Sequence, residues 1–284
     1  QLTLDDLKDR ILPPLIICAT PAGMYGLMKK VGGGALPWGN SFFDLLAVDE
    51  ASMMRLPDLM LSGAFIRRDA QVLLAGDHRQ LPPVQVHDWS KEDRRTVEEI
   101  APFLSTQDYL RLLRGEDLGL EHVRSLPGVN IPVVRLKDTY RCHPTVAQFL
   151  SKWIYGKDGI DFHSVQTDTI SKVDAPTDGL REALEPGRTL VLILHNERES
   201  YQSNPIEARI VRSLVRLVND ERIGVVTPHN AQRGLLRSEL GERVERVDTV
   251  ERFQGGQSDF IIVSATVSDP DYVRAESEFL LNLN

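Results

Sequence analysis

The sequence predicts an α/β protein with mostly parallel sheets, arranged as two domains. Three observations carry this. Runs rich in Val, Ile and Leu recur along the chain and barely alternate with polar residues, as strands buried on both faces do. Stretches of helical period separate several of these runs. The length, 284 residues, suits one or two domains.

The strands expected in chain order are Leu15–Ala19, Phe43–Val48, Gln71–Ala75, Val133–Leu136, Thr189–Leu194, Ile223–Val226, Val244–Val250 and Phe260–Ser264. Residues 85–131 are charged and helix-prone, and read as packing helices ahead of a domain boundary near residue 132. The domains are therefore expected at 1–132 and 133–284. Residues 156–187 are polar and rich in turn formers, an irregular excursion of the second domain. One helix start is well marked. Asn204 fits the N-cap, Pro205 the first turn and Glu207 the third position of a capping box. Ile210, Val211, Leu214, Val215 and Leu217 then follow a helical period.

Composition excludes some classes. The chain is 42% hydrophobic and 26% charged, and no apolar run approaches the ~18 residues of a membrane span. The opening QLTLDDLKDR is acidic, unlike a signal peptide, and lacks an initiator Met, as a piece cut from a longer protein would. Cys18 and Cys142 lie far apart and read as thiols of a reducing compartment, cytoplasmic or nuclear. The net charge of −8 counts mildly against nucleic-acid binding, although such binding depends on local charge. The seven histidines have no metal-ligand spacing, which argues against a metal nuclease.

The chemistry sits at strand ends. FDLLAVDEASMM runs from an apolar strand straight into Asp49 and Glu50. Open α/β sheets bind ligands beyond the carboxyl ends of their strands. There Asp49 suits Mg²⁺ and Glu50 suits the attacking water of a nucleotide hydrolase. Alone, such a pair more often solvates a strand end or caps the next helix. After the next strand comes LLAGDHRQLPPV, with Asp77 again at a strand end and Gln80 able to sense a phosphate or its water.

Together these segments resemble the superfamily 1 helicases, on the branch of the nonsense-mediated-decay RNA helicase and its DNA-acting relatives. DEAS is similar to the Walker B motif and GDHRQLPP to the third motif. TYRCHP resembles Q-Y-R-x-H-P, with Thr139 in place of Gln. SNPIEARIV resembles S-x-N-x-x-E-A. IGVVTPHNAQ resembles V-x-T-P-Y-x-x-Q, with His229 for Tyr, and VDTVERFQGGQSDF resembles motif V, with Gln257 for an acid. IICATPAG is similar to an early strand whose Thr, here Thr20, touches the nucleic-acid backbone.

The resemblance implies two RecA-like domains, the first incomplete, with ATP in the cleft between them. It implies Glu50, Gln80 and Arg141 as catalytic, with Arg141 on the γ-phosphate. Asp49, Asp77, Tyr140 and Gly255 would bind nucleotide, Asp49 through Mg²⁺. Thr20, Thr227, His229 and Thr249 would contact single-stranded DNA or RNA, and travel would be 5′-to-3′. Two expected parts are absent from the sequence: a G-x-x-x-x-G-K-[S/T] loop and the final arginine-bearing motif. The expectation is an inactive piece of an ATP-dependent helicase. The alternative is a non-catalytic helicase-like module that binds nucleic acid or a partner.

Overall fold

The computed structural model describes residues 16–32, 42–85, 87, 89–92, 101–120, 123, 126–166, 178–185, 187–218 and 222–277. The opening QLTLDDLKDR, Leu15, Gly33 and Gly34, part of the 85–131 segment, residues 167–177 and the closing FLLNLN lie outside the described residues. Two compact units divide the chain, Gln1–Val133 with Asn284, and Val134–Leu283.

In the first unit, helix α1 (Pro21–Val31) starts on Thr20, whose hydroxyl accepts the Gly23 N–H at 3.1 Å. Strand β1 (Phe43–Val48) and strand β2 (Ile66–Leu74) pair in parallel, with Leu45 opposite Gln71 and Val48 opposite Leu74. Helix α2 (Leu56–Gly63) makes the crossover that a parallel pair requires. Helix α3 (Thr106–Leu113) is capped by Ser105, whose hydroxyl accepts the Asp108 N–H at 2.9 Å. Ala101, Leu104 and Leu112 bury together against Phe103, Tyr109, Leu118, Val123 and Leu126.

In the second unit, two-residue strands β3 (Asp138–Thr139) and β4 (His163–Ser164) pair in parallel beside helix α4 (Pro144–Trp153). Helix α5 (Asp178–Ala183) follows. Then come helix α6 (Pro205–Leu217), strand β5 (Ile223–Thr227), helix α7 (Asn230–Leu240), strand β6 (Arg246–Thr249), helix α8 (Val250–Phe253), strand β7 (Phe260–Val263) and helix α9 (Pro270–Ala275). The sheet order is β6–β5–β7, all parallel. Its core joins Ala208, Val211, Leu214 and Val215 of α6 to Val225, Leu236, Leu240, Val247 and Ile262. Burying a side chain of this size stabilises by roughly 1.5–3 kcal/mol, which is what the helical period on α6 is for.

The fold class is α/β as expected, with small parallel sheets. Three expected strands do not form among the described residues: Ile16–Ala19, Val133–Leu136 and Thr189–Leu194 belong to no sheet. Leu136, Leu192 and Leu194 are exposed there, and so are Leu45, Val72 and Leu73 within β1 and β2, against the expectation of burial on both faces. An apolar run states which side chains favour burial. Pairing needs a neighbouring backbone at the right register, which that run does not specify.

Candidate functional site

The acid turn follows directly from β1. Val48 is buried, Asp49 is exposed and Glu50 is half-buried. Glu50 has φ +53, a left-handed conformation unusual for a residue with a side chain. Its N–H donates to Asp49 Oδ1 at 3.0 Å. Backbone bonds tie the turn to the end of β2: Ala75 N to Val48 O and Ala51 N to Ala75 O, both at 2.8 Å. Gly76 lets these two strand ends come close. A Cβ there would lie 2.9 Å from both Ala51 N and Ser52 N, so only glycine fits without moving backbone.

The second loop folds on Asp77. Its carboxylate accepts the Arg79 N–H at 3.0 Å through Oδ1 and the Gln80 Nε2–H at 3.1 Å through Oδ2. This is an Asx turn, which presents Gln80 at the surface. The parallel register therefore gathers Asp49, Glu50, Asp77 and Gln80 at one edge of one sheet. A cavity of about 320 Å³ lies beside them, lined by Ser52, His78, Gln80, Asp108, Arg111 and Asp117 among others.

In the second unit, Tyr140 and Arg141 are exposed. Thr139, where the helicase pattern has Gln, accepts the Arg141 N–H through its hydroxyl at 3.2 Å. The Arg141 guanidinium pairs with no acid among the described residues. His143 caps α4 by accepting the Thr145 N–H at 3.2 Å, and its Nδ1 lies 3.1 Å from Thr189 Oγ1. Gly255 is exposed with φ +72. Both amide atoms of the adjacent Gln254 are buried with no partner among the described residues.

A buried polar network joins two motif segments to the loop after β7. Asn204 caps α6, accepting the Glu207 N–H at 2.9 Å. The expected capping box is only half made. Asn204 N–H donates instead to Gln232 Oε1 at 2.7 Å, and the Glu207 carboxylate turns to the loop after β7. There it accepts the Thr266 N–H and the Ser264 hydroxyl, with His195 Nε2 at 3.4 Å. Gln232 Nε2 reaches Ser264 Oγ at 2.9 Å, and Asn204 Nδ2 reaches the Thr266 carbonyl at 3.1 Å. Thr266 has φ +73, an outlier for a β-branched residue.

Three of the four residues expected at nucleic acid lie in or beside this network. Thr227 is fully buried, and its hydroxyl lies 2.8 Å from Thr266 Oγ1. Thr249 is buried too. The Thr227 hydroxyl thus braces the loop after β7. His229 is buried, edge-on to Tyr272 with centroids 6.2 Å apart, and burial holds its pKa below the ordinary histidine value. Of the four expected contacts only Thr20 is exposed. Ser264 and Thr266 directly follow the apolar strand of the motif V likeness, and the sequence assigns neither a role.

Asp248 is set between arginines. Arg246 Nε donates to Oδ2 at 3.1 Å, and Arg233 Nε lies 2.8 Å from Oδ1 as an ion pair without hydrogen-bond alignment. Burial works to raise the Asp248 pKa. The hydrogen bond from Arg246 and the charges of Arg233, Arg246 and Arg237 outweigh it, and the net shift is downward.

A family profile described as an AAA domain matches residues 120–280. The chain belongs to this AAA domain family. It is 26% identical over 275 residues to the probable helicase senataxin of Homo sapiens, covering 89% of this chain and 9% of that protein. It is 25% identical over 283 residues to the DNA replication ATP-dependent helicase/nuclease JHS1 of Arabidopsis thaliana, covering 92% of this chain and 18% of that protein. It is 26% identical over 276 residues to the regulator of nonsense transcripts 1 homolog of Drosophila melanogaster, covering 89% of this chain and 20% of that protein. The chain thus spans less than a third of the length of these relatives. It is a superfamily 1 helicase-like module, in line with the motifs. No helix among the described residues is long and apolar enough to cross a membrane.

Proposed function

We propose that this AAA-family module belongs to an ATP-driven enzyme that moves along single-stranded nucleic acid. One observation carries the reading: two parallel strand ends bring Asp49, Glu50, Asp77 and Gln80 to one sheet edge, with Glu50 held in a rare backbone conformation. Backbone strain of this kind concentrates at functional sites.

The residues fit a Mg²⁺–nucleotide substrate. No cluster of three or more His, Cys, Asp or Glu exists among the described residues to cage a metal. Mg²⁺ needs none, since it binds through one or two carboxylates plus substrate phosphates and waters. Bound there, it would neutralise phosphate charge. Asp49 is the proposed ligand, and Glu50 the group that orients the attacking water and takes its proton. Gln80, fixed by Asp77, reads the position of that water. Arg141 is the proposed guanidinium for charge on the transferring phosphoryl group, and the want of an acidic partner among the described residues suits that task. The exposed Tyr140 ring offers a face for the base, and Gly255 a backbone that can approach the nucleotide closely.

Thr20 is the proposed backbone contact for the strand, with His229 acting through the Tyr272 surface that covers it. Travel in the 5′-to-3′ direction rests on the resemblance alone. The 284-residue chain contains no G-x-x-x-x-G-K-[S/T] sequence, so by itself it is expected to show no ATP turnover stimulated by nucleic acid. The test measures ATP turnover by the full product of its gene, with matched single-stranded RNA and DNA. Turnover abolished by Glu50→Gln supports the reading. Binding of both strands without turnover would favour a non-catalytic binding module.

A further inference from the structure

We propose that Gln107 is a positioning residue for the acid edge, holding the Glu50 turn and the Asp77–Gln80 loop at a fixed spacing. This rests on the hydrolytic reading above.

Helix α3 meets the acid turn end-on. Thr106 N–H donates to Met54 O at 2.6 Å, and Gln107 N–H donates to Ala51 O at 3.2 Å. Those bonds hold the first loop only. The side chain of Gln107 then turns to the second loop, where Nε2 donates to Gly76 O at 3.2 Å. One residue thus grips Ala51 with its backbone and Gly76 with its side chain, and carries the hold of α3 beyond the last ladder bond at Ala75.

Packing fixes the amide as well. Gln107 Oε1 is buried without a partner among the described residues, and lies 2.8 Å from where a Cβ on Gly76 would be. A buried acceptor left unpaired is costly, so the amide is not retained for its own solvation. What it secures is the Nε2 bond to Gly76. Asp77 and Gln80 follow immediately, and their Asx turn hangs from the Gly76 peptide. A shift of that peptide moves Gln80 relative to Glu50, and positioning errors of this kind lower the rate of a reaction more than they weaken binding.

Gln107→Met tests this, since it keeps the length and the backbone bond, adds no charge and deletes the Nε2 donor. In the full gene product the variant is expected to lower kcat for ATP roughly tenfold, the size of one lost hydrogen bond. KM and the unfolding midpoint should stay close to those of the unsubstituted protein. In the 284-residue chain, hydrogen exchange should quicken at residues 76–80 and stay unchanged at 71–74. Unchanged exchange at 76–80, or kcat, KM and midpoint falling together, would overturn the positioning role. If the unsubstituted gene product turns over no ATP, the hydrolytic reading fails, and the exchange experiment alone decides whether Gln107 holds the loop.

Discussion

The Thr266 N–H donates to both carboxylate oxygens of Glu207, with N···O distances of 3.0 and 2.9 Å. These residues lie 59 apart in sequence, one in the first turn of α6 and the other just past the end of β7. The pair holds Thr266 at positive φ, and Thr227 Oγ1 and Asn204 Nδ2 close around it. A conformation this unfavourable persists only where its surroundings over-determine it.

Glu207→Ala is therefore expected to destabilise the second unit by about 2–4 kcal/mol, because it leaves the Thr266 N–H and the Ser264 hydroxyl buried without their acceptor. Urea unfolding of the 284-residue chain measures this. A loss below about 1 kcal/mol would mean that the carboxylate is incidental to the loop.

At Gly76 the expected cost comes from backbone. Gly76→Ala places a Cβ 2.9 Å from two amide nitrogens, so the acid turn must move, at about 1–3 kcal/mol. Gly26→Ala is the matched control. It lies inside α1 with nothing within 4 Å of the added atom, and should stabilise by up to about 1 kcal/mol. Thermal unfolding of the two variants should shift in opposite directions.

His229 makes stability depend on pH in a defined sense. Burial favours its neutral form in the folded chain and lowers its pKa. The unfolded chain then binds the proton more readily, so this contribution is complete above the ordinary histidine value of about 6.5 and is lost as pH falls below it. His229→Tyr keeps a ring against Tyr272 and removes the titration. Between pH 7.5 and 5.5 the urea midpoint of the unsubstituted chain should fall further than that of the variant. Equal falls would assign the effect to other groups.

Arg141→Lys should not substitute. Lysine keeps the charge but loses the planar fork. In the full gene product, kcat for ATP should drop by at least about 10², with the fold unchanged by circular dichroism. Retained turnover would remove Arg141 from the proposed site.

The acid edge was legible because its signal is local. Apolar strands ending in Asp49–Glu50 and in Gly76–Asp77 are contiguous in sequence, and a parallel register puts such ends side by side. The start of α6 was legible for the same reason, since Asn204, Pro205 and Glu207 act within one turn. What Glu207 does with its carboxylate was not, because its partners come from β7's exit. Nor was Gln107, whose second partner lies 31 residues away.

By itself the sequence determined the α/β class, the order of the motifs and which acids terminate strands, all consequences of side-chain period and short-range backbone preference. Only the tertiary structure decided that Thr227 and Thr249 are buried, that Thr189–Leu194 forms no strand and that one glutamine bridges two loops. The physical reason is that burial and hydrogen-bond satisfaction depend on what the folded chain brings alongside a residue. That neighbour is set by long-range packing, which no local pattern encodes.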